Sequence, residues 1–385
     1  MKRKLRMGMI GGSINSFIGP IHRKAALMDG NIELVAGAFS YLPEESKETG
    51  EALFLNPHRV YATYDEMFEK EKNLPGDQRI DFVSIVTPNH VHFDPAKKAL
   101  SNGFHVVVEK PMTFTVAEAK ALKKVVDKKG LILALTHTYT GYPMVKEAKH
   151  LVAAGEIGEV RKVYVEYPQG WLSTFLEGTG NAQASWRTDP KRSGAGGAIG
   201  DIGTHAANLA EYITGLKITE VCAMLNITVK GRKLDDDSSM LIKFENGATG
   251  VLLATQVAAG EENNLNIRVY GEKGGLEWKQ EEPNTLVMKW LDRPKEIVRT
   301  GWPYLSDASK KFTRTPAGHP EGYLEAFANI YRAFTNAVLD YKPGKKIDTD
   351  KYDFPSVDEG IRGMTFVETV VKSARGTAKW TKLKG

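Results

Sequence analysis

Between Leu5 and Leu135 the chain alternates short, almost wholly apolar runs with amphipathic ones, and this alternation limits the fold more than any other feature. The apolar runs are Leu5 to Ile10, Ile32 to Phe39, Ile80 to Val86, Phe104 to Val108 and Leu131 to Leu135. Runs this short, apolar on both faces, read as strands buried within a parallel sheet. The segments between them, Ile21 to Met28, Tyr64 to Lys72, Pro95 to Asn102 and Val116 to Lys129, read as helices, with Gly103 closing the third as a C-cap. The pattern predicts an α/β domain, a doubly wound parallel sheet covered on both faces. Ligands of such sheets bind beyond the carboxyl ends of the strands. Gly11-Gly12, Thr87-Pro88-Asn89-His90 and Glu109-Lys110-Pro111 all fall at such ends.

The character changes after about residue 155. Val160 to Tyr167, Glu220 to Val229, Met240 to Phe244, Ala248 to Gln256, Ile267 to Tyr270 and Leu276 to Lys279 alternate in polarity or pair through short turns. Asn246-Gly247 between two of them is a strong hairpin signal. These predict an open, mainly antiparallel sheet, with Ala198 to Ile213 as a helix against it. Two late helices follow, Tyr323 to Leu339 and Val357 to Ser373, and residues 301–318 carry the least pattern. A chain of 385 residues has room for two domains. The expected division is a dinucleotide-binding domain over 1–137, a substrate-binding and oligomerisation sheet domain over 138–350, and a terminal helix over 351–385 packing back on the first domain.

Composition narrows the function. The net charge of +5, from 52 Lys and Arg against 47 Asp and Glu, is small and spread along the chain. It helps to attract an anionic cofactor but makes a poor case for nucleic acid. The lone cysteine, Cys222, excludes an internal disulfide and a cysteine metal cluster, and fits a reducing, cytoplasmic setting. Met7 to Gly12 is too short and glycine-rich for a signal-peptide core. No stretch approaches the ~18 apolar residues of a membrane span.

The chemistry is concentrated in three places. Gly11-Gly12-Ser13 through Gly19 follows a strand and precedes a helix, the context of a dinucleotide fingerprint. Glycine permits the tight turn, and the helix N-terminus attracts a pyrophosphate. Ser13 stands where a second glycine is usual, and the loop is long. Lys110, just after a strand and before Pro111, places an ammonium at a strand end, where it either lowers the pKa of a substrate hydroxyl or is only a solvated charge. Asp201 and His205, four residues apart, share one helical face. Histidine suits a base or proton-relay role near neutrality; the alternative is a structural pair. Trp186 and Arg187, before that pair, can stack on a sugar ring and fork onto its hydroxyl groups, or pack as an ordinary loop. His319 to Tyr323 opens a late helix and either reaches the same cleft or caps the helix. His90 and His92 face different ways, so no metal site is expected.

Gly8-Met-Ile-Gly-Gly12, Thr87-Pro-Asn89, Glu109-Lys-Pro111 and Gly200-Asp-Ile-Gly-Thr-His205 together resemble the motifs of the Gfo/Idh/MocA oxidoreductases, over essentially the whole chain. The resemblance implies an N-terminal Rossmann domain joined to an open antiparallel sheet, often assembled through that sheet as a homodimer or homotetramer. It maps the family's lysine to Lys110 and its carboxylate and histidine to Asp201 and His205. It implies oxidation or reduction of one carbon of a sugar, cyclitol or related polyol with NAD or NADP. The residues expected at the cofactor are Gly11, Gly12, Ser13, Ile14, Ser40, Thr87, Pro88, Asn89, His92, Glu109 and Lys110. Those expected at the substrate are Lys110, Trp186, Arg187, Asp201, His205, His319 and Tyr323.

One departure bears on the cofactor. The second strand ends Ala38-Phe39-Ser40-Tyr41, without the acid that would accept from the ribose 2′-hydroxyl of NAD and repel the phosphate of NADP. The choice is open at this point, with a lean to NADP tolerance. Two other functions fit the same motifs: an NAD-dependent glycosidase that oxidises its substrate transiently, and a non-catalytic nucleotide-binding sensor. A binding role needs no Lys, Asp and His proton machinery, which speaks against the sensor.

Overall fold

A computed structural model of the chain describes residues 3–345 and 347–384. They divide into one unit formed by residues 1–138 and 327–361 and a second formed by 139–326 and 362–385. The expected first boundary fell at 137. The ends differ more from expectation: 327–350 belongs to the first unit rather than to the sheet domain, and 362–385 to the second rather than to the first.

The first unit is built on five parallel strands: β1 (Leu5–Gly11), β2 (Ile32–Ala38), β3 (Phe82–Val86), β4 (His105–Val108) and β5 (Leu133–Leu135). Their order is β2-β1-β3-β4-β5. Every residue of β3, β4 and β5 is buried, which is why these segments read as nearly continuous apolar runs, broken only by buried Ser84 and His105. A lone parallel bridge joins Val60 to Gly37 beyond β2, a rudimentary further edge strand. The strand order reverses between β1 and β3, so the crevice for a ligand lies at the carboxyl ends of those two strands. The helix Val116–Lys129 matches its expected bounds, because Thr115 and Glu118 form a reciprocal capping box and Gly130 closes it in the left-handed conformation. The helix Pro43–Ala52 was not anticipated. Seven of its ten residues are Glu, Lys, Ser or Thr, so its periodic apolar signal is weak.

The second unit carries a nine-stranded sheet. Its strands are β6 (Val160–Pro168), β7 (Ile218–Asn226), β8 (Asp237–Phe244), β9 (Thr249–Thr255), β10 (Asn266–Gly271), β11 (Gly274–Lys279), β12 (Thr285–Trp290), β13 (Glu296–Arg299) and β14 (Thr381–Lys382). The order is β13-β12-β11-β10-β6-β9-β8-β7-β14, and all neighbours are antiparallel except β6 and β9. Alternation along β6, β8 and β9 sends Val163, Val165, Ile242 and Leu252 into one core with Ile199, Ala206 and Leu209 of the helical segment that crosses the sheet. Each large apolar side chain fully buried there contributes about 1.5–3 kcal/mol. The segment is a π-helical turn, Ile199–Gly203, running into the α-helix Thr204–Thr214. No described helix is long and apolar enough to cross a membrane.

Candidate active site

In the first unit the site is a cradle of backbone. Gly11 and Gly12 both take positive φ, +76° and +75°. A Cβ on Gly12 would stand 2.8 Å from Val86 Cγ2, and one on Gly19 would stand 2.5 Å from Gly12 Cα. The loop therefore turns tightly and seats the following helix, Ile18–Leu27, directly against the end of β1. That helix has no side-chain cap and no acidic residue in its first turn, which leaves its amide dipole open to an anion. Buried Arg23 donates to the carbonyl oxygen of Gly12 and pins the loop from behind. Thr87 Oγ1, at the end of β3 beside Gly11, is buried without a protein partner. A glycine cradle, an uncapped helix and an orphaned hydroxyl fit a dinucleotide whose pyrophosphate lies on the helix and whose polar atoms satisfy Thr87.

Two further strand ends are tied together behind this cradle. His92 is fully buried, with Nδ1 2.7 Å from the carbonyl of Pro111 and Nε2 2.8 Å from that of Thr87. Burial pushes its pKa down, against the two carbonyls. Expected to line the cofactor, its ring is instead occupied in joining the Thr87 turn to the Lys110-Pro111 turn. Glu109 is likewise turned inward. Its Oε1 receives Thr136 Oγ1 at 2.6 Å and lies 2.8 Å from His22 Nε2, while its Oε2 accepts the amide of Lys110 at 3.0 Å. Burial alone would raise this carboxyl; the His22 contacts and the nearby Lys110 charge outweigh it and hold the pKa low. The buried anion fixes the backbone that presents Lys110. Sequence reading found Glu109 but gave no sign of His22, which lies in the next helix, or of Tyr331, whose hydroxyl sits 2.6 Å from His22 Nδ1.

Ser40 and Ser13, both expected at the cofactor, converge on one carboxylate. Ser13 Oγ donates to Glu45 Oε1 at 2.8 Å, Asn15 Nδ2 donates to the same oxygen at 3.1 Å, and Ser40 Oγ donates to Oε2. The amide of Ile14 bonds Thr49 Oγ1 at 3.3 Å in the same helix. Pro88 begins the turn after β3, and Asn89 is buried in it.

In the second unit Asp201 and His205 follow one another around the junction between the π turn and the helix. Gly197 cannot be replaced without strain, since a Cβ there would lie 2.1 Å from the carbonyl oxygen of Asp235. The Asp235 carboxylate accepts the amides of Gly197 at 2.6 Å and Ile199 at 2.8 Å, so it fixes the start of the turn. Asp201 Oδ2 accepts Gln256 Nε2 at 2.9 Å and faces Arg187 Nε at 3.4 Å. The Arg187 guanidinium in turn lies over the Trp186 ring at 4.2 Å and toward Trp171 at 5.8 Å. The structure thus brings Trp186 and Arg187 to Asp201. His205 is buried with its ring edge-on to Tyr139 at 4.8 Å and to Tyr167 at 6.3 Å. The two tyrosine hydroxyls bond each other, and Tyr167 donates to Asn263 Oδ1 at 2.7 Å. Burial drives the Tyr167 phenol well above its ordinary value, with Tyr139, Tyr323 and Asp201 adding to the shift. Tyr323 accordingly belongs to this neighbourhood. His319 is exposed, with its Nδ1 3.3 Å from the carbonyl of Pro316 in its own turn, four residues before the helix that begins at Tyr323. Gln256, Asn263, Tyr139 and Tyr167 carry no motif and were not legible beforehand. Among the described residues no cluster of His, Cys, Asp and Glu is arranged to hold a metal.

A nucleotide cradle on a parallel sheet, a lysine at a strand end and an acid–histidine pair over an open sheet define a class, the dinucleotide-dependent oxidoreductases. The chain belongs to the Gfo/Idh/MocA family. The family model described as "Oxidoreductase family, NAD-binding Rossmann fold" matches residues 5–137, and that of the "GFO/IDH/MocA C-terminal domain" matches 145–277. The uncharacterized oxidoreductase YfiI of Bacillus subtilis (strain 168) is 34% identical over 100% of this chain and 98% of its own. An inositol dehydrogenase homolog from Azotobacter vinelandii, solved with NAD+, superposes with a TM-score of 0.92 at 35% identity, over 99% of this chain and 97% of that one. The levoglucosan dehydrogenase of Pseudarthrobacter phenanthrenivorans (strain DSM 18606 / JCM 16027 / LMG 23796 / Sphe3) is 29% identical over 56% of this chain and 59% of its own.

Proposed function

We propose that this chain is an NAD(P)-dependent dehydrogenase that moves a hydride between the cofactor and a hydroxyl or keto carbon of a sugar, cyclitol or related polyol. A dinucleotide held at the glycine cradle by its pyrophosphate would supply the hydride acceptor or donor from its nicotinamide ring. The residues that would hold the cofactor are Gly11, Gly12, Ser13 and Thr87, with the amide end of the Ile18–Leu27 helix under its phosphates. Lys110 lends positive charge to the reacting oxygen and stabilises it as its proton leaves. His205 takes that proton in oxidation and returns it in reduction. Asp201, Arg187 and Trp186 bind and orient the polyol, and Tyr323 borders it. Names of relatives that turn over inositol and levoglucosan support the substrate class.

The observation that carries this reading is the Asp201 carboxylate, fixed by Gln256 and Arg187 one turn before His205. Such an arrangement presents hydroxyl-binding groups and a base from one rigid element. The test is a panel of sugars and cyclitols offered with NAD and with NADP, followed by the absorbance of the reduced nicotinamide. Turnover of a polyol with either cofactor supports the reading; no turnover across the panel counts against it.

The open face of the nine-stranded sheet supports assembly as a homodimer or homotetramer. Leu241 and Val251 are paired across β8 and β9, and Val251 faces Tyr164 of β6, giving an apolar row on an exposed or half-exposed surface. Leu241→Glu would then shift the sedimentation behaviour toward the monomer. The lone Cys222 suits a reducing, cytoplasmic setting.

A further inference from the structure

We infer that Glu45 is the residue that reads the ribose of the cofactor, and that it selects NAD over NADP. The inference rests on the cofactor reading above and adds to it a residue outside the recognised motifs. Three donors grip its carboxylate: Ser13 and Asn15 on Oε1 and Ser40 on Oε2. Two of these come from the glycine loop at the end of β1 and one from the end of β2. The carboxylate therefore sits where the two strand ends meet, the place at which an acid on the second strand accepts from a ribose hydroxyl. Here the strand supplies Ser40, and the acid arrives from the first turn of the Pro43–Ala52 helix.

The carboxylate is ionised for clear reasons. The helix N-terminus favours a negative charge there, and the bonds from Ser40 and Ser13 hold its pKa below the ordinary range. An ionised carboxylate offers about four acceptor positions. Three donors occupy it, and Oε2 accepts one side-chain donor against two on Oε1. A ribose hydroxyl can donate to the remaining position; a 2′-phosphate cannot, and brings a second negative charge to the first. Nothing nearby in sequence offsets that repulsion. In residues 39–52 the one basic side chain is Lys47, exposed and two positions along the helix, against Glu44, Glu45, Glu48 and Glu51. Residues two apart on a helix do not face each other.

The test is equilibrium binding of NADH and of NADPH to the full-length protein, read by the fluorescence of the reduced nicotinamide, for the parent, Glu45→Gln and Glu45→Arg. The parent should bind NADH at least about tenfold more tightly than NADPH. Glu45→Gln keeps the shape and should cut that ratio about tenfold, and Glu45→Arg should bring it to unity or reverse it. A carboxylate that only braced the loop would weaken both cofactors alike, leaving the ratio unmoved in both variants; that result overturns the assignment of Glu45 while the cofactor reading stands. Failure of the parent to bind either dinucleotide would overturn both.

Discussion

Arg187 holds its guanidinium between two different kinds of partner, 3.4 Å from the Asp201 carboxylate and 4.2 Å over the ring of Trp186. The planar fork satisfies both at once, which a lysine ammonium cannot do. Arg187→Lys should therefore keep the charge and lose the geometry. We expect the KM for the polyol to rise about tenfold, with the cofactor Kd unchanged. The site is partly solvated, so thermal stability should hardly move. Steady-state kinetics with a melting curve as control will check this; an unchanged KM would separate Arg187 from the substrate.

Lys110 is fixed by its neighbours, with Glu109 taking its amide and His92 bonding the carbonyl of Pro111. Lys110→Ala removes the positive charge while leaving that frame in place. Turnover should fall ~10²–10³-fold, the usual cost of losing an electrostatic stabiliser. Binding of NADH, measured by fluorescence, should stay within about twofold. Near-normal turnover would remove Lys110 from the chemistry.

His205 must be neutral to accept a proton, so the rate of oxidation should fall on the acid side as the imidazole becomes charged. His205→Asn should lose most activity, and whatever remains should lack that acid limb. The pH dependence of kcat/KM in parent and variant decides the matter. An active variant with the parental profile would pass the base role to another group.

His105 predicts how the first unit responds to acid. It is buried at the start of β4, where Nδ1 accepts the amide of Ile132 at 3.0 Å. Burial lowers its pKa from 6.5 to about 4, with Asp81 opposing and Arg79 reinforcing the shift. The unfolded chain then takes up this proton first. Stability is complete above about pH 6.5 and is lost as the pH falls toward about 4. From neutral pH to about pH 5 this histidine alone should remove ~2 kcal/mol. His137, lowered to about 4 by burial and the charge of Lys110, acts in the same direction. His105→Asn retains an acceptor near Nδ1 but does not titrate, so its urea midpoint should depend less on pH than the parent's. Equal slopes would contradict the assignment.

Much of the parallel sheet was legible because its strands are buried on both faces, and buried runs such as Phe104 to Val108 leave an unmistakable apolar block. The Val116–Lys129 helix was legible to the residue because both its ends carry capping chemistry. Three residues of the candidate site, Lys110, Asp201 and His205, stand out because each is ionisable and lies in a segment marked by glycine or proline, Glu109-Lys-Pro111 and Gly200-Asp-Ile-Gly-Thr-His205. What escaped was tertiary. Gln256 reaches Asp201 from 55 positions away, and Tyr139 and Tyr167 meet His205 from two different elements. No local period encodes such meetings. Glu45 was missed for a related reason. An acid is expected at the end of the strand, where Ser40 stands, whereas the acid is delivered by a polar helix with a weak periodic signal. Strand β13 escaped because an exposed edge strand such as Glu296–Arg299 carries few buried residues and so little pattern.

The most direct test of the dehydrogenase reading follows the hydride itself. A turned-over polyol deuterated at its reacting carbon is incubated with the protein and oxidised cofactor, and both products are examined by NMR and mass spectrometry. The account predicts one deuterium on the nicotinamide ring for each keto product formed, a slower rate than with the protiated substrate, and loss of the transfer in His205→Asn. An aryl glycoside releasing its aglycone with only catalytic NAD and no net reduced cofactor, or a polyol oxidised without deuterium reaching the nicotinamide, would contradict it.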